Sequence, residues 1–447
     1  MKIAIDARMI GPFMHGISRY AYNLIKGISK VDKKNDYVLL LNDNFLKDFV
    51  STRENFSLKI TKSRLYGVGE QITIPRVLKE EKIDIFHSPS FFGPVLEGCK
   101  VIMTIHDMIH VLFPEEASIL HRAYYNFIVR KAARNASRII TVSENSRRDI
   151  SNFLSIPLEK IVVTYNAVDE MFRRSNEDKV NEIKDRFGIN DRFILYVCNQ
   201  KPHKNVGLLI EAYQQLRGRI KHQLVIVGQK DRLFLRGLRN NMLEGVIFVG
   251  EVLDEFLPHL YSGADVFVSP SLYEGFGLPL IEAIACGTAV VAIRSPSLGE
   301  ILGNAGLIVD EGRPDELAEA IYRVLSNESL RNNLIKEGLK RKNLFSWENT
   351  VERTLKVYEE VFETYPYDKL RRLHPTPLGL GRVRNIRVGI NASKFFEVNT
   401  GVGRYTSNLC KYILETDGKK DYFLYSPSQM DTVIRTNRTR IHFKESG

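Results

Sequence analysis

Short apolar runs alternate with amphipathic helical stretches along most of the chain, and this alternation limits the folds that it can adopt. It is typical of parallel β-sheets whose strands are joined by crossover helices. In the first half, the runs predicted as strands are residues 3–5, 37–41, 83–86, 101–105, 138–142 and 161–164. In the second half, they are residues 193–197, 224–227, 246–249, 266–269, 289–293 and 307–309. The sequence therefore predicts an α/β protein.

A charged, weakly apolar stretch at residues 173–186 interrupts the alternation, and we expect the hinge between two domains there. The predicted domains are α/β units that cover residues 1–172 and 190–345, which is an ordinary domain size. Apolar residues at steps of three or four predict an amphipathic helix at 346–365. The segment 366–385 is rich in Pro, Gly and Arg and is predicted to be a linker.

The chain starts again after this linker, because residues 386–425 match the N-terminus at a constant offset of 385. About 14 of 38 positions are identical, among them Gly16 with Gly401 and Arg19 with Arg404. A duplicated module is the simplest explanation. Residues 386–447 are therefore predicted to be the start of a second, truncated module, which alone is too short to cover both faces of a parallel sheet.

Composition excludes several classes of protein. The four cysteines among 447 residues form no Cys-x-x-Cys pair, which argues against a zinc ribbon or a disulfide framework and favours a reducing cytosol. Asp6 comes too early for a signal peptide, and no apolar run is long enough to span a bilayer. We expect a cytoplasmic protein, at most peripheral at the inner membrane face.

The net charge of +11 is concentrated in the tail. Residues 366–447 contain 15 Lys/Arg against 7 Asp/Glu and so carry +8 of that charge. No aromatic residues interleave a basic stripe, so we predict no nucleic-acid partner, and weak association with an anionic membrane surface is the better explanation of the tail.

The strongest local signal lies in residues 269–292. A strand ends near Ser269, a glycine loop follows with Gly275 and Gly277, and Pro279 suits the first turn of a helix. Such a loop at the carboxyl end of a strand is a ligand loop in open α/β sheets. Its backbone N–H groups and the helix N-terminus favour an anion or sugar hydroxyls.

Two glutamates belong to this stretch. Glu274 lies at the mouth of the loop, and Glu282 lies eight residues later in the following helix. Taken singly, Glu274 is as compatible with a turn residue as with a ligand contact. Glu282 is likewise as compatible with a solvated helix residue as with a ligand contact.

A second element is the segment 196–205, which precedes a predicted helix and contains Lys201 and Lys204. A lysine at a strand-to-helix turn is placed to neutralise a diphosphate leaving group. Lys201 is as compatible with a solvated loop residue as with a cation that binds the diphosphate.

Two N-terminal motifs follow predicted strands. Gly16 opens a helix after the first strand, which is compatible with a ligand loop and also with a structural turn. His106 comes directly after the strand 101–105, as a candidate ligand contact or a residue that caps the strand end. His87 is a weaker candidate of the same kind.

The spacing of Glu274 and Glu282 resembles the Glu-x7-Glu signature of family 4 retaining glycosyltransferases of the GT-B fold, and the resemblance covers residues 1 to about 365. It implies two facing Rossmann-like domains with a cleft between them. Residues 1–172 would form the acceptor-side domain and residues 190–345 the nucleotide-sugar-binding domain.

The resemblance also implies roles for single residues. It implies that Glu274 and His106 contact the donor sugar, that Glu282 binds the ribose hydroxyls, and that Lys204 binds the diphosphate. The other residues predicted to bind the donor are Gly16, Lys201, Gly275, Phe276, Gly277 and Leu278. The family often adds an arginine near the lysine, but this chain has Asn199 and His203 there, so Lys201 is predicted to replace the missing cation.

No Asp-x-Asp motif occurs, and we therefore expect metal-independent transfer with retention of configuration, without a cofactor. The pattern looks most like bacterial O-antigen and capsule mannosyltransferases, which implies GDP-mannose as donor and a glycan or lipid-linked glycan as acceptor. A UDP-sugar donor is the alternative within the family. A phosphorylase, an epimerase and a non-catalytic nucleotide-binding module are the alternatives outside it.

Overall fold

A computed structural model describes most of the chain. The described residues are 1–11, 16–63, 65, 69–91, 93–94, 96, 99–114, 124–229, 240–310 and 312–364, together with 387–391, 421–426, 434–435 and 440–445. The chain divides into two units, Met1–Tyr365 and Pro366–Gly447.

The N-terminal part of the first unit is a seven-stranded parallel sheet with the order β3-β2-β1-β4-β5-β6-β7. Its strands are β1 Lys2–Asp6, β2 Asp36–Leu41, β3 Phe56–Ile60, β4 Ile85–Ser88, β5 Lys100–Thr104, β6 Arg138–Thr141 and β7 Ile161–Val163. Its α-helices are α1 Gly16–Val31, α2 Lys47–Ser51, α3 Glu70–Glu80, α4 Ile109–Leu112, α5 Arg130–Asn135 and α6 Glu144–Leu154. A π-helical turn, Tyr125–Val129, precedes α5, and a 3-10 turn, Leu158–Lys160, precedes β7.

The second sheet has six parallel strands in the order β10-β9-β8-β11-β12-β13. The strands are β8 Phe193–Val197, β9 Gln223–Val227, β10 Val246–Gly250, β11 Val266–Ser269, β12 Val290–Ile293 and β13 Leu307–Val309. The α-helices are α7 Glu177–Phe187, α8 Val206–Leu216, α9 Leu257–Gly263, α10 Leu278–Ala285, α11 Leu298–Leu302, α12 Pro314–Ser326 and α13 Glu328–Arg341. The 3-10 turns are Pro202–Lys204, Asn240–Leu243, Asp254–Phe256 and Lys342–Leu344.

Each sheet is covered on both faces, which is why its strands are nearly continuous apolar runs. Separate apolar clusters pack on the two faces of each sheet. All twelve strands predicted from the sequence are confirmed to within a few residues, and the fold class is as predicted. The edge strand β3 was not predicted, because most of its residues are only partly buried and its apolar pattern is weak. Most of the stretch 173–186, expected to be the hinge, is helix α7, in which only Ile183 is buried.

The last helix of the first unit, α14 Trp347–Thr364, packs on the N-terminal sheet rather than on the sheet that precedes it in sequence. Val351 and Tyr358 lie in the same apolar cluster as Ile3 and Leu24. Lys100 Nζ donates to the Phe362 carbonyl at 2.9 Å. The amphipathic pattern predicted this helix, but nothing in the pattern indicated which domain it covers. Within the described residues, none of the helices combines the length and the apolar character needed to cross a bilayer.

The second unit contains β14 Arg387–Asn391, β15 Asp421–Ser426, β16 Ile434–Arg435 and β17 Arg440–Glu445, in the sheet order β14-β15-β17-β16. Its first two strands pair Arg387 with Asp421, as β1 and β2 pair Lys2 with Asp36. The pairs in both units differ by the offset of 385 that the sequence repeat predicts.

The structural repeat extends further than the sequence match. β15 and β17 pair Tyr422 with Ile441, and β2 and β3 pair Tyr37 with Phe56 at the same offset. The match to the N-terminus also predicts a helix between β14 and β15, as the counterpart of α1, but that segment lies outside the described residues.

Candidate active site at the interdomain cleft

The order of the second sheet reverses between β8 and β11, and ligands of open α/β sheets bind at the carboxyl edge beside such a switch point. The loops that leave these two strands carry Lys204 and Glu274, which is how residues 70 positions apart come together. Lys204 Nζ donates to Glu274 Oε1 at 2.6 Å, and the two side chains are only 10% and 12% exposed. Lys204, predicted to bind the diphosphate, and Glu274, predicted to contact the sugar, therefore form one largely buried ion pair.

The charge on Lys204 is stabilised by its neighbours. Burial is the largest single effect and lowers the pKa of the ammonium, but Glu274, Cys198 and Asp107 together outweigh it and leave the pKa raised. Lys204 is therefore a cation throughout the neutral range. Asp107 belongs to the N-terminal domain, so the opposite wall of the cleft contributes to this stabilisation.

The glycine loop after β11 packs directly against the N-terminal domain. A Cβ added to Gly275 would lie 2.6 Å from the His106 carbonyl oxygen, so no larger residue fits without moving the domains apart. Gly277 has φ +85°, a left-handed conformation that disfavours other residues. Ser297 Oγ donates to the Glu274 carbonyl and holds the start of the loop. Glycine is therefore required at the two positions for different reasons, the close approach of the other domain at Gly275 and the left-handed backbone at Gly277.

Glu282 is buried in α10 and is not the solvated helix residue that the sequence alone allowed. Tyr261 Oη donates to its Oε2 at 2.9 Å. Burial raises the pKa of the Glu282 carboxyl to about 7, against the opposing effects of Arg19 and the Tyr261 hydrogen bond. Arg19 reaches Glu282 from the N-terminal domain, with 3.6 Å between Nη1 and Oε1.

His106 is buried at the cleft. Its Nε2–H donates to the Pro89 carbonyl at 3.1 Å, and its ring makes an edge contact with Tyr20, with centroids 4.7 Å apart. Burial lowers the pKa of His106, although the Pro89 carbonyl and Asp107 oppose this effect. The imidazole is therefore neutral at pH 7, and its Nε2 proton is already used by the main chain.

The remaining predicted donor residues lie around this centre in different ways. Gly16 begins helix α1 and is exposed, and Lys201 is exposed at the start of the 3-10 turn that carries Lys204. The Phe276 side chain is buried and packs against Phe345, with ring centroids 5.3 Å apart, so it belongs to the apolar core. Leu278, the first residue of α10, packs against the core of its own domain.

The two positions at which this chain lacks the expected arginine differ. Asn199 is exposed, whereas His203 is buried and its ring centroid lies 5.5 Å from that of Phe113. A small cavity adjoins the ion pair. Its lining residues are Tyr196, Val197, Cys198, Phe267, Ser269, Ser271, Glu274, Gly277, Pro279 and Leu280.

His87, the weaker candidate, lies in the core of the N-terminal domain and not at the cleft. Its Nδ1 lies 2.6 Å from the Tyr358 hydroxyl and its Nε2 lies 2.9 Å from Thr104 Oγ1. The side chain is fully buried, and burial lowers its pKa to about 3. This histidine links strand β4 to helix α14.

Several interdomain contacts were not predicted from the sequence. Glu300 accepts hydrogen bonds from the backbone N–H groups of Glu144 and Asn145 at the start of α6, at 2.7 and 3.2 Å. Tyr273 Oη donates to Asp149 at 2.7 Å. Arg19 contacts Glu282 and Asp254. These partners are more than 120 residues apart, so no local pattern could have revealed them.

No three His, Cys, Asp or Glu side chains come together as metal ligands in the part of the chain that the structure describes.

Two family models match the first unit. A model described as Glycosyltransferase Family 4 matches residues 14–171, and one described as Glycosyl transferases group 1 matches residues 179–341. Their boundary coincides with the change from the first sheet to the second.

Three individual proteins illustrate the similarity. The O-antigen chain mannosyltransferase B of Escherichia coli is 28% identical over 384 residues, which cover 80% of this chain and 100% of that protein. An uncharacterised glycosyltransferase of Methanocaldococcus jannaschii is 30% identical over 309 residues, which cover 64% of this chain and 78% of that protein. The crystal structure of Anabaena HepE with UDP and glucose superimposes with a TM-score of 0.64 at 18% identity and covers 80% of this chain and 100% of that one. The chain therefore belongs to the glycosyltransferases of the GT-B fold, with a family 4 domain followed by a group 1 domain.

Proposed function

We propose that this glycosyltransferase moves mannose from GDP-mannose onto a glycan or lipid-linked glycan acceptor in the synthesis of a cell-surface polysaccharide. Similarity over the whole length of the O-antigen chain mannosyltransferase B of Escherichia coli supports mannose as the sugar. The observation that carries the proposal is the buried pair of Lys204 and Glu274 at the switch point of the second sheet.

The proposed roles follow from this geometry. The Lys204 ammonium and the N-terminus of α8 supply positive charge for the departing diphosphate, in a site from which water is largely excluded. Glu274, which binds Lys204, faces the sugar, and Glu282 accepts the ribose hydroxyls. Positive charge from the protein in this position makes a metal ion unnecessary for transfer.

Transfer proceeds with retention of configuration. The acceptor hydroxyl attacks the anomeric carbon from the face that the phosphate leaves, and the bond between that carbon and the phosphate oxygen breaks. The acceptor proton passes to the departing phosphate, so GDP leaves as the new glycosidic bond forms. Because the imidazole of His106 is neutral and its Nε2 proton is bound to Pro89, we assign it a positioning role toward the sugar.

The first test measures the melting temperature with a panel of nucleotides and nucleotide sugars, with and without EDTA, because a ligand that binds the folded state raises it. We expect GDP and GDP-mannose to raise it equally in both conditions. A rise with UDP-sugars alone would replace the donor within the same family. A rise that EDTA abolishes would contradict metal independence.

The second test separates an enzyme from a nucleotide-binding module. GDP-mannose is incubated with a panel of mannose-terminated oligosaccharides and lipid-linked glycans, and GDP release is measured together with the anomeric configuration of the product by NMR. Release of GDP that depends on the acceptor, with an α-linked product, supports the proposal. Donor binding without turnover on any acceptor would favour the binding module.

A further inference from the structure

Arg19 extends from the first turn of α1 across the cleft to the second domain. Its Nη1 lies 3.6 Å from Glu282 Oε1, and its Nη2 donates to Asp254. The Arg19 side chain is 26% exposed and that of Glu282 is 7% exposed, so their interaction is shielded from bulk water. Both partners belong to the C-terminal domain, and Arg19 therefore connects the domains at a residue proposed to bind the ribose.

The internal repeat provides a second, independent observation. Many identities between the two copies are core residues of the N-terminal domain, such as Leu24, Ile28 and Tyr37. Arg19 recurs as Arg404, although its partners lie outside the repeated segment. Packing within the N-terminal domain therefore does not explain why the arginine recurs.

A comparison within the same segment strengthens this argument. Arg8 and Asp6 form an ion pair at 2.7 Å with both side chains fully buried, yet the repeat has Ser393 and Asn391 at these positions. The second copy lacks the two residues that form a buried ion pair inside the domain in the first copy, whereas it keeps the arginine that is partly exposed there and points out of the domain. This difference indicates a role for Arg19 in the cleft.

The surroundings of Glu282 show what that role can be. Tyr261 donates a hydrogen bond to it, while Asp254, Asp169 and Cys286 lie near enough to affect its charge. Burial and the two aspartates favour the neutral acid, and Arg19 favours the carboxylate. At 3.6 Å the arginine stabilises the charge without a hydrogen bond, and the Oε1 lone pairs remain available to a ligand.

We propose that Arg19 is a positioning residue for donor binding, which holds Glu282 as a carboxylate able to accept the ribose hydroxyls of the nucleotide. The proposal rests on the proposed function of Glu282. Since Arg19 belongs to the N-terminal domain, the ribose site is complete only when the two domains are closed. Nucleotide affinity therefore depends on a residue of the domain that does not carry the nucleotide-binding loops.

The test is calorimetric binding of GDP, the nucleotide alone, between pH 6 and 9. We expect Arg19→Met to weaken binding at pH 7 by about tenfold or more, because loss of the positive charge raises the pKa of Glu282 further. The loss should shrink toward pH 9, where Glu282 ionises in both proteins, and Arg19→Lys should recover part of the affinity. Glu282→Gln should bind weakly without this pH dependence, and Arg76→Met, on an exposed helix face, should bind like the wild type.

Three outcomes of the GDP-binding experiment would overturn the proposal. Tighter binding by Arg19→Met would show that the arginine competes with the ribose, and an unchanged affinity would show that it has no role. A loss of equal factor at every pH would show that Arg19 does not act through Glu282.

A ligand-free arm separates this proposal from the proposed function. The melting temperatures of Arg19→Met, Glu282→Gln and the double variant are compared at pH 8, where we expect the two single effects not to add. Additive effects would reject the coupling even if GDP binds. Failure of the wild type to bind any nucleotide, with non-additive effects, would instead reject the proposed function and with it the donor role of Arg19.

Discussion

Lys204 and Glu274 depend on each other because both are buried at the carboxyl edge of the second sheet. Removal of one partner leaves an uncompensated buried charge, and we expect Lys204→Met or Glu274→Gln alone to lower the free energy of unfolding by about 3 kcal/mol. The double variant should recover much of that stability, because no charge is left unpaired. Transfer should not recover, and we expect at least about a hundredfold loss in kcat for every variant that lacks Lys204.

Urea unfolding and steady-state kinetics on the same four proteins test this prediction. Lys179→Met is the matched control, because Lys179 pairs with Glu182 at 2.7 Å on an exposed helix face, and we expect little change in stability or rate. Recovery of transfer in the double variant would show that the pair is structural and that the leaving group is stabilised elsewhere.

The residues of the site differ in how far the sequence could predict them. Lys204, Glu274 and Glu282 lie in short motifs whose strand, loop and helix signals are local. The structure pairs Lys204 with Glu274 and buries Glu282 in the helix that follows the Glu274 loop. Arg19 and Glu300 act only across the cleft, through contacts that depend on how the domains meet. Such contacts are set by tertiary packing, which a single sequence does not encode in any local pattern.

Among the elements, the loop between β11 and α10 is the one that the opposite domain restrains most closely. We expect Gly275→Ala to lower kcat/KM by more than about tenfold, because the new methyl group would meet the His106 carbonyl at 2.6 Å and hold the cleft open. The fold of each domain should be unaffected. Steady-state kinetics and small-angle scattering of the variant measure the two effects.

The control for this loop is Gly299→Ala, since a methyl group at that helical position has no neighbour within 4 Å. We expect wild-type kinetics and an unchanged or slightly raised melting temperature. Wild-type activity of Gly275→Ala would mean that the two domains do not close as they do in this structure.

Helix α14 is fixed to the N-terminal sheet through His87 and Tyr358, and this link predicts a pH effect on stability. The pKa of His87 is lowered to about 3 in the folded state, below its ordinary value of 6.5. Below about pH 6.5 the unfolded chain therefore binds a proton at His87 that the folded chain does not bind. The stability that His87 contributes is lost as the pH falls from about 6.5 toward 3.

We expect His87→Asn to be less stable than the wild type at pH 7.5, because hydrogen bonds to Tyr358 and Thr104 are lost. That difference should narrow in acid by up to about 1.4 kcal/mol per pH unit. Urea unfolding of both proteins at pH 7.5, 6.0 and 5.0 measures it. Parallel stability curves would show that His87 takes up its proton in the folded state at the same pKa as in the unfolded chain.

The sequence predicted the elements that are buried on both faces, such as strands β8 and β11 on either side of the switch point in the second sheet. Prediction was weaker where an element is only partly buried. The edge strand β3 and helix α7 have few buried residues, so β3 was not predicted and most of α7 was expected to be the hinge. The side of the molecule on which α14 packs also depends on tertiary contacts such as that between Tyr358 and His87.

At the scale of the whole molecule, every residue assigned to the site lies in Met1–Tyr365. This unit contains both sheets, and α14 completes the apolar cluster of the first sheet before the unit ends. The second unit repeats the strand register of β1, β2 and β3, a segment of the first unit that carries neither Lys204 nor Glu274 nor Glu282.

We therefore expect removal of residues 386–447 to leave transfer largely intact, with kcat within about twofold of the full chain and a similar unfolding midpoint for the first unit. Rates with a water-soluble acceptor and with a lipid-linked acceptor in anionic vesicles separate two effects of the tail, because the net charge of +8 in residues 366–447 favours anionic membranes. A loss confined to the vesicle assay would assign the tail to membrane attachment. Complete loss of transfer to the soluble acceptor, by a truncated protein that still melts cooperatively, would show that the second unit takes part in catalysis.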